Sequence, residues 1–195
     1  MAFAMMSTVA WAQSLTLEQP PPDYAYDESR PDYLHFKKVA ITRTSKYSLS
    51  FEFMLQGQLP NRFPRGEGVR YKVYFDLDGL VCDYQEKKVP PDFASDLIIS
   101  IYQNPNTSRF DSWVDLIRVR NKIYEIKVTK LRASGDQIWF DARCQLFGEV
   151  EGLRFVFSSG RLVKEDGKNH DKSVQNSNVH AVPYKESGLD LSFGP

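Results

Sequence analysis

An alternation of apolar and polar residues with a period of two runs through the middle of the chain, from residue 33 to about 160. In Tyr47-Ser-Leu-Ser-Phe-Glu-Phe-Met-Leu-Gln56 the odd positions are apolar and nearly all the even positions are polar. Val69-Arg-Tyr-Lys-Val-Tyr-Phe-Asp76 and the segment from Ile138 to Leu146 repeat the pattern. Successive side chains of a strand point to opposite faces, so this period predicts strands with one buried face and one solvated face.

The alternating segments predict about eight strands in all. Further strands are expected around 34–42, 96–102, 113–119, 122–131 and 153–158. Turn residues at 120–122 and at Ser134-Gly-Asp136 favour antiparallel hairpins. Helices are expected to be minor, because no long window shows the apolar period of about 3.6 residues. The expected fold is therefore all-β, an antiparallel β-sandwich of jelly-roll-like type.

The two ends of the chain differ from this central region. Residues 1–12 carry no charge and end in Ala10-Trp11-Ala12, the pattern of the rear part of a secretory signal peptide, although its positively charged front part is missing. Residues 13–32 contain four prolines and predict an extended arm. Residues 33–160 are expected to form the sandwich domain, and the polar residues 161–195 a mostly disordered tail with a weak strand near 179–182. This organisation predicts a periplasmic or secreted protein.

The charge balance limits the classes of partner. Lysines and arginines number 25, and so do aspartates and glutamates. A chain with no net charge lacks the field that recruits nucleic acid. The apolar N-terminal stretch is also shorter than the roughly 20 residues that cross a bilayer. We therefore expect neither nucleic-acid binding nor membrane insertion.

An acidic turn follows the strand that ends at Asp76. The sequence VYFDLDGLVCD is similar to the first motif of haloacid-dehalogenase-like phosphatases, which implies Asp76 as nucleophile and Asp78, before Gly79, as acid/base. That family has a doubly wound fold with a buried parallel strand at this place, and such strands are almost continuously apolar. Here Arg70 and Lys72 alternate with apolar residues, and no helix is predicted after the turn. We therefore expect no catalytic activity, and the phosphatase remains the enzymatic alternative.

Two other interpretations of the acidic turn remain open. Aspartate and glycine are common in turns for purely structural reasons. Alternatively, Asp76, Asp78 and Asp83 present carboxylates from one loop, as ligands of a calcium ion. No cofactor is required by either interpretation. The two cysteines, Cys82 and Cys144, are expected either to form a disulfide in an oxidising compartment or to remain thiols, with Cys144 in the core.

The order of these segments resembles a family of exported sandwich domains. The segments YKVYFDLDG (71–79), DLII (96–99) and FVFSS (155–159) are similar to those of family 9 carbohydrate-binding modules and the related DOMON-like domains, over about residues 27–160. The resemblance implies a β-sandwich that binds a sugar or haem. Haem binding in such domains depends on axial Met or His ligands. The only histidines are His35, His170 and His180, and Met54 is the only methionine of the central region, so sugar binding is favoured.

Sugar binding requires aromatic side chains on an outer sheet face. Candidate outward aromatics are Tyr74, Tyr102, Trp113 and Trp139. The alternative is that they pack beneath loops or neighbouring strands. The expected function is an exported, non-catalytic binding or structural module whose partner is a glycan or a protein. A structural periplasmic or surface component that contacts a partner through its polar tail is a further alternative.

Overall fold

The computed structural model describes residues 14–18, 31–64, 66–76, 96–104, 107, 109–116, 124–148, 154–165, 168–171 and 180–182. Within these residues the chain forms the following strands: β1 (Ser14–Glu18), β2 (Phe36–Ser45), β3 (Ser48–Leu55), β4 (Glu67–Asp76), β5 (Leu97–Gln103), β6 (Phe110–Leu116), β7 (Ile126–Ser134), β8 (Gln137–Cys144), β9 (Arg154–Glu165), β10 (Lys168–Asp171) and β11 (His180–Val182). Short 3-10 turns occupy Asp32–Leu34 and Gln145–Gly148.

The eight central strands form two antiparallel sheets of four. The first sheet has the order β2-β3-β8-β7 and the second has the order β9-β4-β5-β6. Strand β1 extends the first sheet beside β2, and the short strands β10 and β11 both pair with β9. Every pairing among the described strands is antiparallel, so the expected all-β sandwich is confirmed.

The core lies between the two sheets and is rich in phenylalanine. Strand β3 points Phe51 and Phe53 inward, and the expected alternation along this strand is confirmed from Leu49 to Leu55. The ring of Phe51 stacks on Phe140 of β8 at 4.7 Å between centroids, and Phe53 meets Phe157 of the opposite sheet at 5.9 Å. Each such fully buried ring contributes about 1.5–3 kcal/mol of transfer free energy, so these contacts hold the sheets together.

Buried polar groups connect the 3-10 turns to the sheets. The hydroxyl of Tyr71 donates a hydrogen bond of 2.5 Å to the carbonyl oxygen of Tyr33. The hydroxyl of Ser159 donates to the carbonyl of Leu34, and the Arg43 guanidinium donates to the carbonyl of Phe147. Burial raises the pKa of Tyr71 well above its ordinary value of 10.0, because the phenolate would lose its hydration.

The two ends of the chain add strands to the central sheets. Part of the predicted extended arm, β1, pairs in register with β2 from Ser14–Thr42 to Glu18–Lys38. Strand β9 continues past residue 160 to Glu165, and β10 pairs with this extension, so these parts of the predicted disordered tail are ordered. The weak strand expected near 179–182 is present as β11.

The exposure of two expected faces also differs. Tyr47 was expected to point into the core, but it lies in the β2–β3 turn and is exposed. Strand β4 was expected to turn one face to solvent, whereas Lys72 on that face is only 7% exposed. On the same face, Ile98 of β5 and Leu162 of β9 are buried. The central strands of the second sheet are therefore buried on both faces.

Candidate functional site

Trp139 lies on the outer face of the first sheet, on strand β8 next to the edge strand β7. Its neighbours across the strands are Glu52 of β3 and Arg132 of β7. In the next row towards the end of β8, Asp141 lies between Ser50 of β3 and Thr129 of β7. Side chains directly opposite each other on one face have Cβ atoms about 4.5–5.5 Å apart, so these residues form one continuous surface.

A β-bulge in β7 changes what this surface presents. Thr129 faces Asp141 and Arg132 faces Trp139, so two residues of β7, Lys130 and Leu131, lie opposite one residue of β8. Lys130 has a φ of 54°, in the left-handed region that side chains other than glycine adopt rarely. Leu131 packs against the core, so the extra residue is the lysine on the outer side. Bulges of this kind redirect side chains near functional sites.

The bulge places a lysine beside the carboxylate of the neighbouring strand. The Nζ atom of Lys130 lies 2.8 Å from an Oδ atom of Asp141. The lysine side chain is 78% exposed and the aspartate side chain 20%, so the pair lies at the rim of the surface and contributes little to stability. Its consequence is that the negative charge of Asp141 is compensated locally.

An open depression of about 440 Å³ surrounds these residues. It is lined by Ser50, Lys130, Arg132, Trp139, Phe140 and Asp141. We call this set of residues the Trp139 surface. Trp139 is partly exposed there, so it offers an apolar ring, while its neighbours offer a hydroxyl, a carboxylate and two cationic donors. A flat aromatic ring with polar groups at its edges is the arrangement that ligand sites use for orientation and specificity.

The other three aromatic candidates lie on the opposite side of the molecule, on the outer face of the second sheet. Trp113 of β6 is 59% exposed and lies opposite Ser100 of β5. Tyr102 is partly buried. Tyr74 is only 1% exposed, so the expectation that it forms an open aromatic platform is corrected: this ring is enclosed within the fold. The four predicted aromatics are therefore divided between two outer faces and form no single site.

Tyr102 takes part in a polar row across three strands. Arg70 of β4 and Asp111 of β6 lie on either side of it in the register. The guanidinium carbon of Arg70 is 5.8 Å from the centre of the tyrosine ring. Partial burial, followed by the nearby carboxylate of Asp111, raises the pKa of Tyr102, while Arg70 lowers it. The hydroxyl is thus engaged with Asp111 and stays protonated at neutral pH.

Asp76, the nucleophile that the phosphatase resemblance implies, and Asp136, in the turn before β8, lie at opposite ends of the sandwich. The carbonyl of Asp136 accepts a hydrogen bond from the amide of Leu55, at the end of the first sheet where β8 begins. Asp76 ends β4 next to Phe75, whose ring packs at 5.8 Å on Phe147, just beyond the other end of β8. The length of β8, at about 3.3 Å per residue, places these two ends roughly 23 Å apart. A magnesium site that uses both aspartates would require them to lie side by side, and this separation is incompatible with such a site.

The remaining predicted site residues are described only in part. Asp76 is the last residue of β4, whereas Asp78 and Asp83 lie outside the described residues. Cys82 also lies outside them, and Cys144 is buried at the end of β8, on the core side as expected. The calcium ligand set and the disulfide therefore stay predictions. In the described parts of the chain, no three His, Cys, Asp or Glu side chains are grouped so that they could hold a metal ion.

Sequence reasoning found Trp139 but missed the residues around it. Lys130, Arg132 and Ser50 carry no motif by themselves. A signal was nevertheless present in Ile126-Lys-Val-Thr-Lys-Leu-Arg-Ala-Ser134, where the apolar residues are two apart except for a step of three from Val128 to Leu131. Such a break in the period of two marks a bulge.

Comparison with known proteins gives no family for this chain. A scan against protein-family models finds no matching family. Searches of curated proteins and of solved structures likewise find no match. Over the described residues, no helix is long and apolar enough to cross a membrane.

Proposed function

We propose that the protein is an exported, non-catalytic module that binds a glycan on the Trp139 surface. The observation that carries this proposal is that Trp139 lines an open depression and has polar side chains on both neighbouring strands. A sugar ring has one face of C–H groups and a periphery of hydroxyls. The indole matches the first and the surrounding polar groups match the second.

Different residues would contact the apolar face of the sugar and its hydroxyl groups. The indole of Trp139 provides area at a low cost in conformational entropy, because the ring sits on a rigid strand. The Asp141 carboxylate accepts hydrogen bonds from sugar hydroxyls, and Arg132 and Ser50 complete the polar periphery. An open site with one aromatic ring gives modest affinity, so the module would act in combination with other contacts or on a polymeric ligand with repeated sites.

A glycan array compared across two tryptophan variants tests this proposal. Trp139→Ala removes the platform and is expected to abolish the array signal, because the main contact area is lost. Trp113→Ala is the matched control, since this side chain is exposed on the opposite face. We expect the control to bind as the wild type does. Binding that survives Trp139→Ala and disappears in Trp113→Ala would overturn the choice of site, and no glycan bound by the wild type would overturn the function.

A structural calcium ion at the acidic turn is a second part of the proposal. Its support is the spacing of Asp76, Asp78 and Asp83 directly after β4. Carboxylates from one loop are suitable ligands for calcium, and an extracellular site remains filled even when its affinity is weak. A bound ion stabilises the folded state by mass action. Chelator should therefore lower the melting temperature, and excess calcium should restore it; an identical melt under both conditions would contradict the ion.

A further inference from the structure

The outer side of β7 and β8, which includes most of the Trp139 surface, carries an excess of positive charge on a chain that has none overall. The outward residues of β7 and β8 include the cations Lys127, Lys130, Arg132 and Arg143, and the register places Lys127 opposite Arg143. The only outward carboxylate within these two strands is Asp141, and Glu52 of β3 lies beside Trp139 on the side away from Arg132. Over the whole sequence the number of lysines and arginines equals the number of aspartates and glutamates. The positive charge on this face is therefore a local excess.

The two cations closest to Trp139 have different surroundings. Lys130 is paired with Asp141 at 2.8 Å, which compensates the charge that would otherwise repel an anion. Arg132 is exposed, lies directly opposite Trp139, and forms no ion pair with a described residue. A guanidinium offers a planar fork of N–H donors that matches a carboxylate in two parallel hydrogen bonds.

We propose that the glycan bound by this surface is acidic, with a hexuronic acid ring on Trp139 and its carboxylate on Arg132. The inference rests on the proposed glycan binding and adds the class of sugar. Neighbouring strands lie about 4.8 Å apart, so a group at the edge of a ring centred on Trp139 reaches the adjacent strand. In a hexuronic acid the carboxylate is attached at the ring's edge, which is where Arg132 lies.

The bulge supports the same conclusion. A lysine in the left-handed region costs free energy, and such backbone conformations concentrate at ligand sites. The inserted residue has two effects on the charges of the surface. It brings the amine of Lys130 to Asp141, and it shifts the register so that Arg132 stands beside Trp139. A regular strand of the same length would place Leu131 opposite Trp139 instead.

Calorimetric titration of the full chain with pairs of ligands that differ only in charge tests the inference. The ligands are oligomers of galacturonic, glucuronic and mannuronic acid, each with its methyl ester. We expect at least one acid to bind about tenfold more tightly than its ester, since hydrogen bonds to a charged group are roughly twice as strong as neutral ones. Arg132→Gln should remove this preference. Lys127→Gln, which removes a cation further along the same strand, should retain it.

Four results would contradict the proposal or the function on which it rests, in distinguishable ways. Acids and esters bound equally, with binding lost in Trp139→Ala, would leave glycan binding intact and overturn the acidic specificity. Acid preference unchanged in Arg132→Gln would overturn the assigned residue. Equal binding of a sulfated polysaccharide to the wild type and to Trp139→Ala would show general charge attraction and overturn the inference. Failure of every sugar, charged or neutral, would overturn the proposed function itself.

Discussion

Replacing Lys130 with glycine is expected to release strain from the bulge in β7. Lys130 has a φ of 54°, and an L-residue with a side chain pays roughly 1–2 kcal/mol in the left-handed region. Glycine adopts this region at no steric cost. The change also removes the ion pair with Asp141, but the lysine is 78% exposed, so the loss is about a few tenths of a kcal/mol.

The size of the effect is measured best against a second glycine variant in the same strand. Lys127 is also exposed and outward in β7, but it pairs regularly with Arg143. Both variants carry the entropic cost of glycine in a strand, about 0.5–1 kcal/mol, which cancels in the comparison. We expect Lys130→Gly to be more stable than Lys127→Gly by about 1 kcal/mol, because only the first relieves the positive φ.

Urea unfolding of the two variants provides the measurement. With equal slopes, the difference in midpoint gives the difference in free energy of unfolding, and in a thermal melt 1 kcal/mol corresponds to roughly 2–4 °C for a chain of this size. If the two variants lose the same stability, Lys130 carries no strain and the bulge has another geometry. The backbone of β7 would then hold no strain that marks the Trp139 surface as a ligand site.

Three further predictions concern the core and its polar contacts. Phe53→Ala should lower the free energy of unfolding by about 3–5 kcal/mol in urea titration, because this fully buried ring bridges the sheets; a loss below 1 kcal/mol would contradict its placement. The raised pKa of Tyr71 implies that its stabilising effect is complete below pH 10 and decreases as the pH rises above that value, so Tyr71→Phe should flatten the alkaline part of a stability–pH curve. A slope as steep in the variant as in the wild type would refute this cause. Gly57→Ala should cost about 1–3 kcal/mol, since its Cβ would lie 2.5 Å from the Cβ of Asp32, and an unchanged melting temperature would show that this turn does not pack as described.

The sandwich could be predicted because a strand with one buried face shows that burial in its own sequence, as an alternation of apolar and polar residues. Each of the eight central strands overlaps an expected segment, since a strand with one buried face alternates. The hairpin expected at 120–122 is wrong, because β6 belongs to the second sheet and β7 to the first. The short strand β1 was missed because only Leu15 and Leu17 alternate within a segment rich in prolines. Strand β10 has no apolar alternation and is ordered by pairing with β9, an interaction between segments that local composition does not show.

The outer faces were harder to predict than the core. Lys72 and Tyr74 were expected to meet solvent because they alternate with apolar residues, yet both are buried. Burial of a second face depends on which other part of the structure packs there. The neighbouring strand did carry a signal, because Leu97-Ile-Ile-Ser-Ile101 is almost continuously apolar, as expected for a strand buried on both faces.

The candidate site depends on register, which sequence alone does not supply. Trp139 was predicted as an outward aromatic, but its neighbours are set by the pairing of β8 with β3 and β7. A slip of one residue in β7 would have replaced Arg132 beside the indole, and a slip in β3 would have replaced Glu52 on its other side. The bulge in β7 determines the register of Arg132 against Trp139, so the cation beside the indole follows from one irregular position in that strand.

Nuclear magnetic resonance of the indole N–H groups is the most direct test of the central claim that Trp139 is the ligand platform. Titration of the full chain with the three hexuronate oligomers should shift the indole signal of Trp139, because a sugar ring above the indole changes its magnetic environment. The signal of Trp113, on the opposite outer face, should stay unchanged. The chain has three tryptophans, so Trp139→Phe and Trp113→Phe together assign the two signals. A shift of Trp113 with Trp139 unaffected, or no shift of either with any of the oligomers, would contradict the account.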